Sequence, residues 1–170
     1  ALAEAAKRSK AHFFLTHNYS AHPMVREARA MVADGDIGTL RLVQAEYLQG
    51  WLSDDVQNKQ ADWRTDPARS GAGAIGDIGT HAWQLTEFVT GQTPAYLSAD
   101  LSSMVEGRRV DDDARIALRY DSGAKGGIWV SQVAAGQEGG LSLRLFGTEG
   151  SLEWRLQDPE ALIFTGKEGQ

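Results

Sequence analysis

Ala114-Arg115-Ile116-Ala117-Leu118-Arg119-Tyr120, followed by Asp121-Ser122-Gly123, reads as a half-buried strand and the turn that closes it. Ile116, Leu118 and Tyr120 recur at every second position, so one face of the run is apolar. Leu141, Leu143 and Leu145 repeat the pattern before the turn Gly147-Thr148-Glu149-Gly150. Tyr96 to Val105, Gly127 to Val133 and Ser151 to Leu156 complete a series of short β runs joined by Gly-bearing turns. Upstream the period changes. Met24, Ala28 and Met31, with Val25 and Val32 beside them, mark one helical face opened by Pro23 and ended by Gly35. Ile78, Ala82, Leu85 and Val89 mark a second, closed by Gly91. A few helices followed by a meander of strands predict an α+β domain, a largely antiparallel open sheet with helices packed on one face.

The remaining segments fit around this frame. Ala1 to Lys10 has helical spacing and His12 to Tyr19 reads as a buried strand. Thr39 to Tyr47 suits another strand, and Leu52 to Ser70 reads as a long polar loop with Trp51 at its flank and Trp63 at its centre. The chain begins without Met and in mid-helix, so it is expected to be a piece of a longer protein.

The chain has 170 residues, room for one domain, with 42% hydrophobic and 24% charged residues as in ordinary globular proteins. Lys plus Arg is 17 against Asp plus Glu at 23, a net charge of −6 that argues against nucleic acid or an anionic membrane as partner. With no cysteine, a disulfide, a Cys-ligated zinc and a thiol nucleophile are excluded. No apolar run approaches the roughly 18 residues that cross a bilayer, and no secretory signal opens the chain, so a cytoplasmic location is expected.

Gly71-Ala72-Gly73-Ala74-Ile75-Gly76 fits the dinucleotide-binding pattern G-x-G-x-x-G, but its context does not. That motif needs a hydrophobic strand before it, and Arg64 to Ser70 with Pro67 cannot be a central parallel strand. The alternative is a loop that lets backbone approach a ligand or another backbone. Beyond it, Asp77 and His81 stand four residues apart on one face of a helix start, a carboxylate and an imidazole fit to move a proton at a substrate hydroxyl. The bland reading stays open beside it: Asp77 as a helix cap, His81 as a packed side chain. His12 and His17 fall on opposite faces of the expected strand, and His17, His22 and His81 lack metal-ligand spacing, so no metal site is expected. Asp111-Asp112-Asp113 reads as a solvated strand entry, and Arg108-Arg109 as an exposed pair. Trp63-Arg64 offers an aromatic platform with a cation, or a loop anchor.

Asn18-Tyr19, Asp36-Ile37-Gly38, Trp63-Arg64, Gly71 to His81 and Gly147 to Ser151, in that order, resemble the Gfo/Idh/MocA family of NAD(P)-dependent oxidoreductases. The resemblance covers nearly the whole chain and lies with the family's C-terminal, substrate-binding domain, its Asp-x-Gly-x-His element being the most specific part. It implies that residues 1–10 form a helix linking from an absent nucleotide-binding Rossmann domain, and that residues 11–170 form the substrate-binding and oligomerisation domain; Ala161 to Gln170 ends just after an expected strand, so that domain is expected to be truncated at its C-terminus. It implies hydride transfer between nicotinamide and a hydroxyl-bearing carbon of a sugar, inositol or related polyol. His81 would then assist proton transfer and Asp77 would orient substrate or imidazole. Asn18, Tyr19, Trp63 and Arg64 would line the substrate or nicotinamide pocket. NAD or NADP would serve the complete protein, with no cofactor-binding residue in this chain, and homo-oligomers would form through the sheet face. Two features depart from the family pattern: no Glu-Lys-Pro element with its proton-carrying Lys occurs, and Gln84 stands where many members have an acid.

The leading expectation is therefore the substrate-binding, catalytic-pair-bearing part of a dehydrogenase, inactive by itself. The alternatives are a non-catalytic carbohydrate-binding or assembly module of the same fold, and metal-assisted hydrolysis by the His and Asp residues.

Overall fold

The alternating strands need a layer to bury their apolar face, and two amphipathic helices supply it. A computed structural model describes residues 2–169. In chain order the elements are α1 (Leu2–Arg8), a 3-10 turn (Asn18–Ala21), α2 (Pro23–Asp34), β1 (Leu42–Leu48), α3 (Lys59–Arg64), α4 (Pro67–Ser70), a π-helical turn (Ile75–Gly79) and α5 (Thr80–Thr90). Six strands follow: β2 (Tyr96–Ser102), β3 (Asp113–Arg119), β4 (Lys125–Ser131), β5 (Gly140–Phe146), β6 (Gly150–Arg155) and β7 (Asp158–Gly166). They form one sheet in the order β2-β3-β4-β1-β5-β6-β7, in which β1 and β4 pair parallel and every other pair is antiparallel. The α+β class, the open and largely antiparallel sheet and the helices on one face are as the periodicity predicts.

The core lies between the sheet and helices α2 and α5. Val43, Ala45 and Tyr47 of β1 face it at every second position, beside Ile128 and Val130 of β4 and Leu141, Leu143 and Leu145 of β5. Val25 and Ala28 of α2, and Ala82, Leu85 and Val89 of α5, cover them. The docking of the loop after α2 explains two of the sequence motifs. Thr39 N–H donates to Thr148 Oγ1 at 3.0 Å and Glu149 N–H donates to the Ile37 carbonyl at 3.0 Å. A Cβ at Gly147 would fall on the Ile37 carbonyl oxygen, so Asp36-Ile37-Gly38 and Gly147 to Gly150 fit as a structural joint.

Three readings are corrected. The segment from His12 to His17 forms no strand, and Phe13, Phe14 and Leu15 are 64%, 83% and 74% exposed. A strand needs a neighbour for its N–H and C=O groups, and neither edge of the seven-stranded sheet is paired with this segment. His12 and His17 therefore do not share a strand. The polar loop from Leu52 to Ser70 contains α3 and α4, started by the Asn58 side chain accepting from Gln60 N–H and Ala61 N–H and by Asp66 accepting from Ala68 N–H. Finally, Asp112 and Asp113 are buried, and Arg108 pairs with Asp112 at 3.3 Å with its side chain 4% exposed. The charge run is an interior network because loops from elsewhere in the chain fold over it.

Candidate active site

Tyr47, one residue before the end of β1, lies on the core face, and the alternation continues past the strand, so Gln49 and Trp51 follow on the same side. These three residues, with Asn58 to Gln60 and Arg64 of α3, face Asp77, Ile78 and His81 across a cleft of about 630 Å³. The helical run that carries Asp77 and His81 begins with a π turn, whose extra residue widens the helix before α5 takes over. Asp77 does not cap this helix. Its first amides are taken by Asp111, whose two carboxylate oxygens accept from Gly73 N–H (2.9 Å) and Ile75 N–H (2.7 Å). Asp77 is left free to face the cleft.

Asp77 Oδ2 accepts from Arg64 Nε at 2.9 Å and from Gln132 Nε2 at 2.7 Å, two donors that fix the carboxylate through one oxygen. Arg64 is itself fixed: Gln60 Oε1 accepts from it at 2.6 Å, and its guanidinium lies 4.2 Å from the centre of the Trp63 ring. His81 packs edge-on against Tyr19 (5.1 Å between ring centres), His17 (5.5 Å) and Tyr47 (6.4 Å). Its Nδ1 is buried without a hydrogen-bond partner. Burial lowers the His81 pKa below the usual imidazole value, His17 lowers it further and Asp77 opposes both. His81 is therefore a neutral imidazole at neutral pH. Tyr47 shares a hydrogen bond of 2.6 Å with the Tyr19 hydroxyl. Burial first, then that bond, push its phenol pKa upward, so Tyr47 is a hydrogen-bonding wall and not a base.

Of the residues singled out in the sequence, Asp77, His81 and Arg64 line the cleft. Tyr19 stands behind it, its ring on His81 and its hydroxyl on Tyr47. Trp63 supports Arg64 from outside the lining, and Asn18 is exposed on the 3-10 turn and does not line it. The hydrogen bonds of Asp77 go to Arg64 and Gln132, and none joins it to His81. Sequence reasoning missed Tyr47, Gln49 and Gln132 and left Trp51 as a loop flank. The spacing 47, 49, 51, a strand period carried beyond the strand, was the available signal.

Within Gly71 to Gly76 the central glycine packs on protein backbone. A Cβ at Gly73 would fall on the Asp111 carbonyl oxygen, and Ala74 N–H donates to that same carbonyl at 2.8 Å, so the space beside the glycine is filled by protein backbone. Among the described residues no three His, Asp or Glu side chains are placed to hold a metal ion. No helix among them is long and apolar enough to cross a membrane.

The fold is a seven-stranded α+β sheet in which the end of β1 faces a carboxylate and an imidazole, on the π turn and α5, across one cleft. The profile of the GFO/IDH/MocA C-terminal domain matches residues 25–153, and the chain belongs to that family. An oxidoreductase from Sinorhizobium meliloti is 46% identical, with a TM-score of 0.83 over 98% of this chain and 43% of that one. An inositol dehydrogenase homologue from Azotobacter vinelandii, solved with NADH and myo-inositol, is 32% identical, with a TM-score of 0.90 over 99% of this chain and 43% of that one. Levoglucosan dehydrogenase of Pseudarthrobacter phenanthrenivorans is 26% identical, covering 95% of this chain and 47% of that protein. The chain spans less than half the length of the curated relatives it matches.

Proposed function

We propose that this chain supplies the substrate-binding and proton-transfer half of an NAD(P)-dependent dehydrogenase that acts on a hydroxyl of a sugar, inositol or related polyol. The observation that carries this reading is the meeting of a fixed carboxylate, Asp77, and a neutral imidazole, His81, in one polar cleft walled by Tyr47 and Trp51. A neutral imidazole can take a hydroxyl proton as the C–H bond breaks, whereas an imidazolium cannot. Asp77 Oδ2 is occupied by Arg64 and Gln132, which leaves Oδ1 to accept from a neighbouring substrate hydroxyl and orient the ring. When bound in the complete protein, the nicotinamide supplies the two-electron acceptor or donor for the hydride. The cleft is wide enough for a sugar-sized ring against a nicotinamide. The dinucleotide phosphates would be held by a Rossmann domain outside this chain.

The test is the complete protein incubated with NAD+ or NADP+ and a panel of polyols that includes myo-inositol and levoglucosan, with reduced cofactor read by absorbance. Turnover with at least one polyol, lost in Asp77→Asn, is the expected result, and this 170-residue chain alone is expected to give none. If the complete protein binds polyols without turnover, the carbohydrate-binding reading replaces this one.

On the same reading the complete protein is cytoplasmic and pairs with a second copy through the open sheet face. That face exposes Leu42, Phe146 and Ile163 and carries charges of both signs, such as Glu46 with Arg144 at 3.0 Å, so it can match itself about a two-fold axis. Sedimentation of the complete protein is expected to show an oligomer that Leu42→Glu with Phe146→Glu reduces in size. An unchanged oligomer would place the interface elsewhere.

A further inference from the structure

The two walls of the cleft are remote in sequence, yet both are tied to one segment, the connection between β2 and β3. On the side of Asp77 and His81, Asp111 holds the amides of Gly73 and Ile75 with its carboxylate and that of Ala74 with its carbonyl. These amides open the helical run, so the Asp111 carboxylate sets where the π turn starts and which way it points. On the side of Trp51, Arg108 donates to the Leu52 carbonyl at 2.8 Å and to the Asp54 carbonyl at 3.1 Å. Arg108 is itself held by Asp112, which is 1% exposed and also accepts from Met104 N–H (2.8 Å) and Val105 N–H (3.1 Å). The same connection reaches Asp77 a second time, because Gln132 N–H donates to the Asp112 carbonyl at 2.8 Å while the Gln132 side chain donates to Asp77.

We propose that Asp111 and the buried Arg108–Asp112 pair are positioning residues: Asp111 places the Asp77–His81 wall, and Arg108 places the Trp51 wall opposite it. The inference rests on the oxidoreductase reading above for its kinetic consequences, and on the hydrogen bonds alone for its structural ones. A group that merely stabilised the fold would loosen both walls together. These two groups hold different walls, so their losses have different signatures. Misplacing the imidazole relative to the reacting hydroxyl slows the chemical step, whereas loosening a wall that grips the substrate ring weakens ground state and transition state alike.

The experiment compares variants of the complete protein with NAD+ and myo-inositol as probe substrates. In Asp111→Asn the amide replaces one acceptor oxygen and opposes an N–H, and kcat is expected to fall about tenfold with KM within about twofold. Removing Arg108 alone would leave Asp112 buried and unpaired, so the second variant is Arg108→Met with Asp112→Asn, which removes both charges. It is expected to raise KM about tenfold with kcat within about threefold. Arg109→Ala, an exposed neighbour of the pair, is expected to match the unsubstituted protein. Hydrogen exchange read by mass spectrometry supplies a readout independent of turnover: Asp111→Asn is expected to lose protection over 73–79 and keep it over 50–56, and the double variant to do the reverse. Uniform loss across the chain, or no change in either variant, overturns the positioning role. Absence of turnover in the unsubstituted protein with both cofactors and every polyol of the panel above overturns the oxidoreductase reading alone, and the exchange pattern then still decides whether these residues set the two walls.

Discussion

In the complete protein, His81→Gln is expected to lower kcat for polyol oxidation by about 10²–10⁴-fold, the usual contribution of a positioned general base. The melting midpoint is expected to stay within about 3 °C, because His81 Nδ1 is buried without a partner and the substitution breaks no hydrogen bond there. The pH profile separates a base from a packed side chain. The groups facing His81 are His17 and Tyr19 from the segment before α2, Tyr47 from β1 and Asp77 from its own helical run. Burial and His17 lower the pKa of His81 and Asp77 raises it, with the lowering dominant. The unprotonated form therefore persists below the usual imidazole range. In the oxidation direction kcat/KM of the unsubstituted protein is expected to hold through neutral pH and to fall only as pH drops through that lowered value, where the proton occupies the lone pair. His81→Gln is expected to abolish this acid limb. A variant that keeps the limb, or keeps kcat, assigns the proton to another group.

Strands and helices of the central frame were legible because each has one apolar face, and a period of two or of 3.6 survives in one dimension. Asp77 with His81 was legible for the same reason, since four residues along a helix is one turn. The segment from His12 to His17 was not, because its composition is that of a strand while strand formation depends on an edge that this sheet does not offer it. The charge run from Asp111 to Asp113 misled in the opposite sense. Charges are solvated by default, and only the fold shows that Gly73, Ile75, Met104, Val105 and Arg108 bring donors to Asp111 and Asp112. Gln132, which holds Asp77 from β4's far end, carries no local signal at all, since an amide is ordinary at any strand terminus. Tyr47, Gln49 and Trp51 stand between these cases: their period was present in the sequence, but it ran past the strand end, where a loop reading takes over.

Gly73→Ala is expected to destabilise the chain by about 2–4 kcal/mol, as overpacking against fixed atoms combines with disturbed buried hydrogen bonds. The Cβ would fall on the Asp111 carbonyl oxygen and lie 2.7 Å and 2.8 Å from the Asp111 carbonyl carbon and amide nitrogen. These are backbone atoms at the entry to β3, so nothing can swing aside, and relief requires the π turn to move away from Asp111. That movement carries Asp77 away from Gln132 and Arg64, so activity is expected to fall together with stability. Gly71→Ala is the comparison. Gly71 has φ +75° but no atom within 4 Å of an added Cβ, so only left-handed strain of about 1 kcal/mol is expected there. Denaturant unfolding of the two variants separates close packing from conformational preference, since both glycines sit in the same apparent G-x-G-x-x-G. A ligand cradle would give the opposite result: Gly73→Ala would leave unfolding unchanged and weaken nicotinamide dinucleotide binding. That outcome would return these glycines to the cofactor.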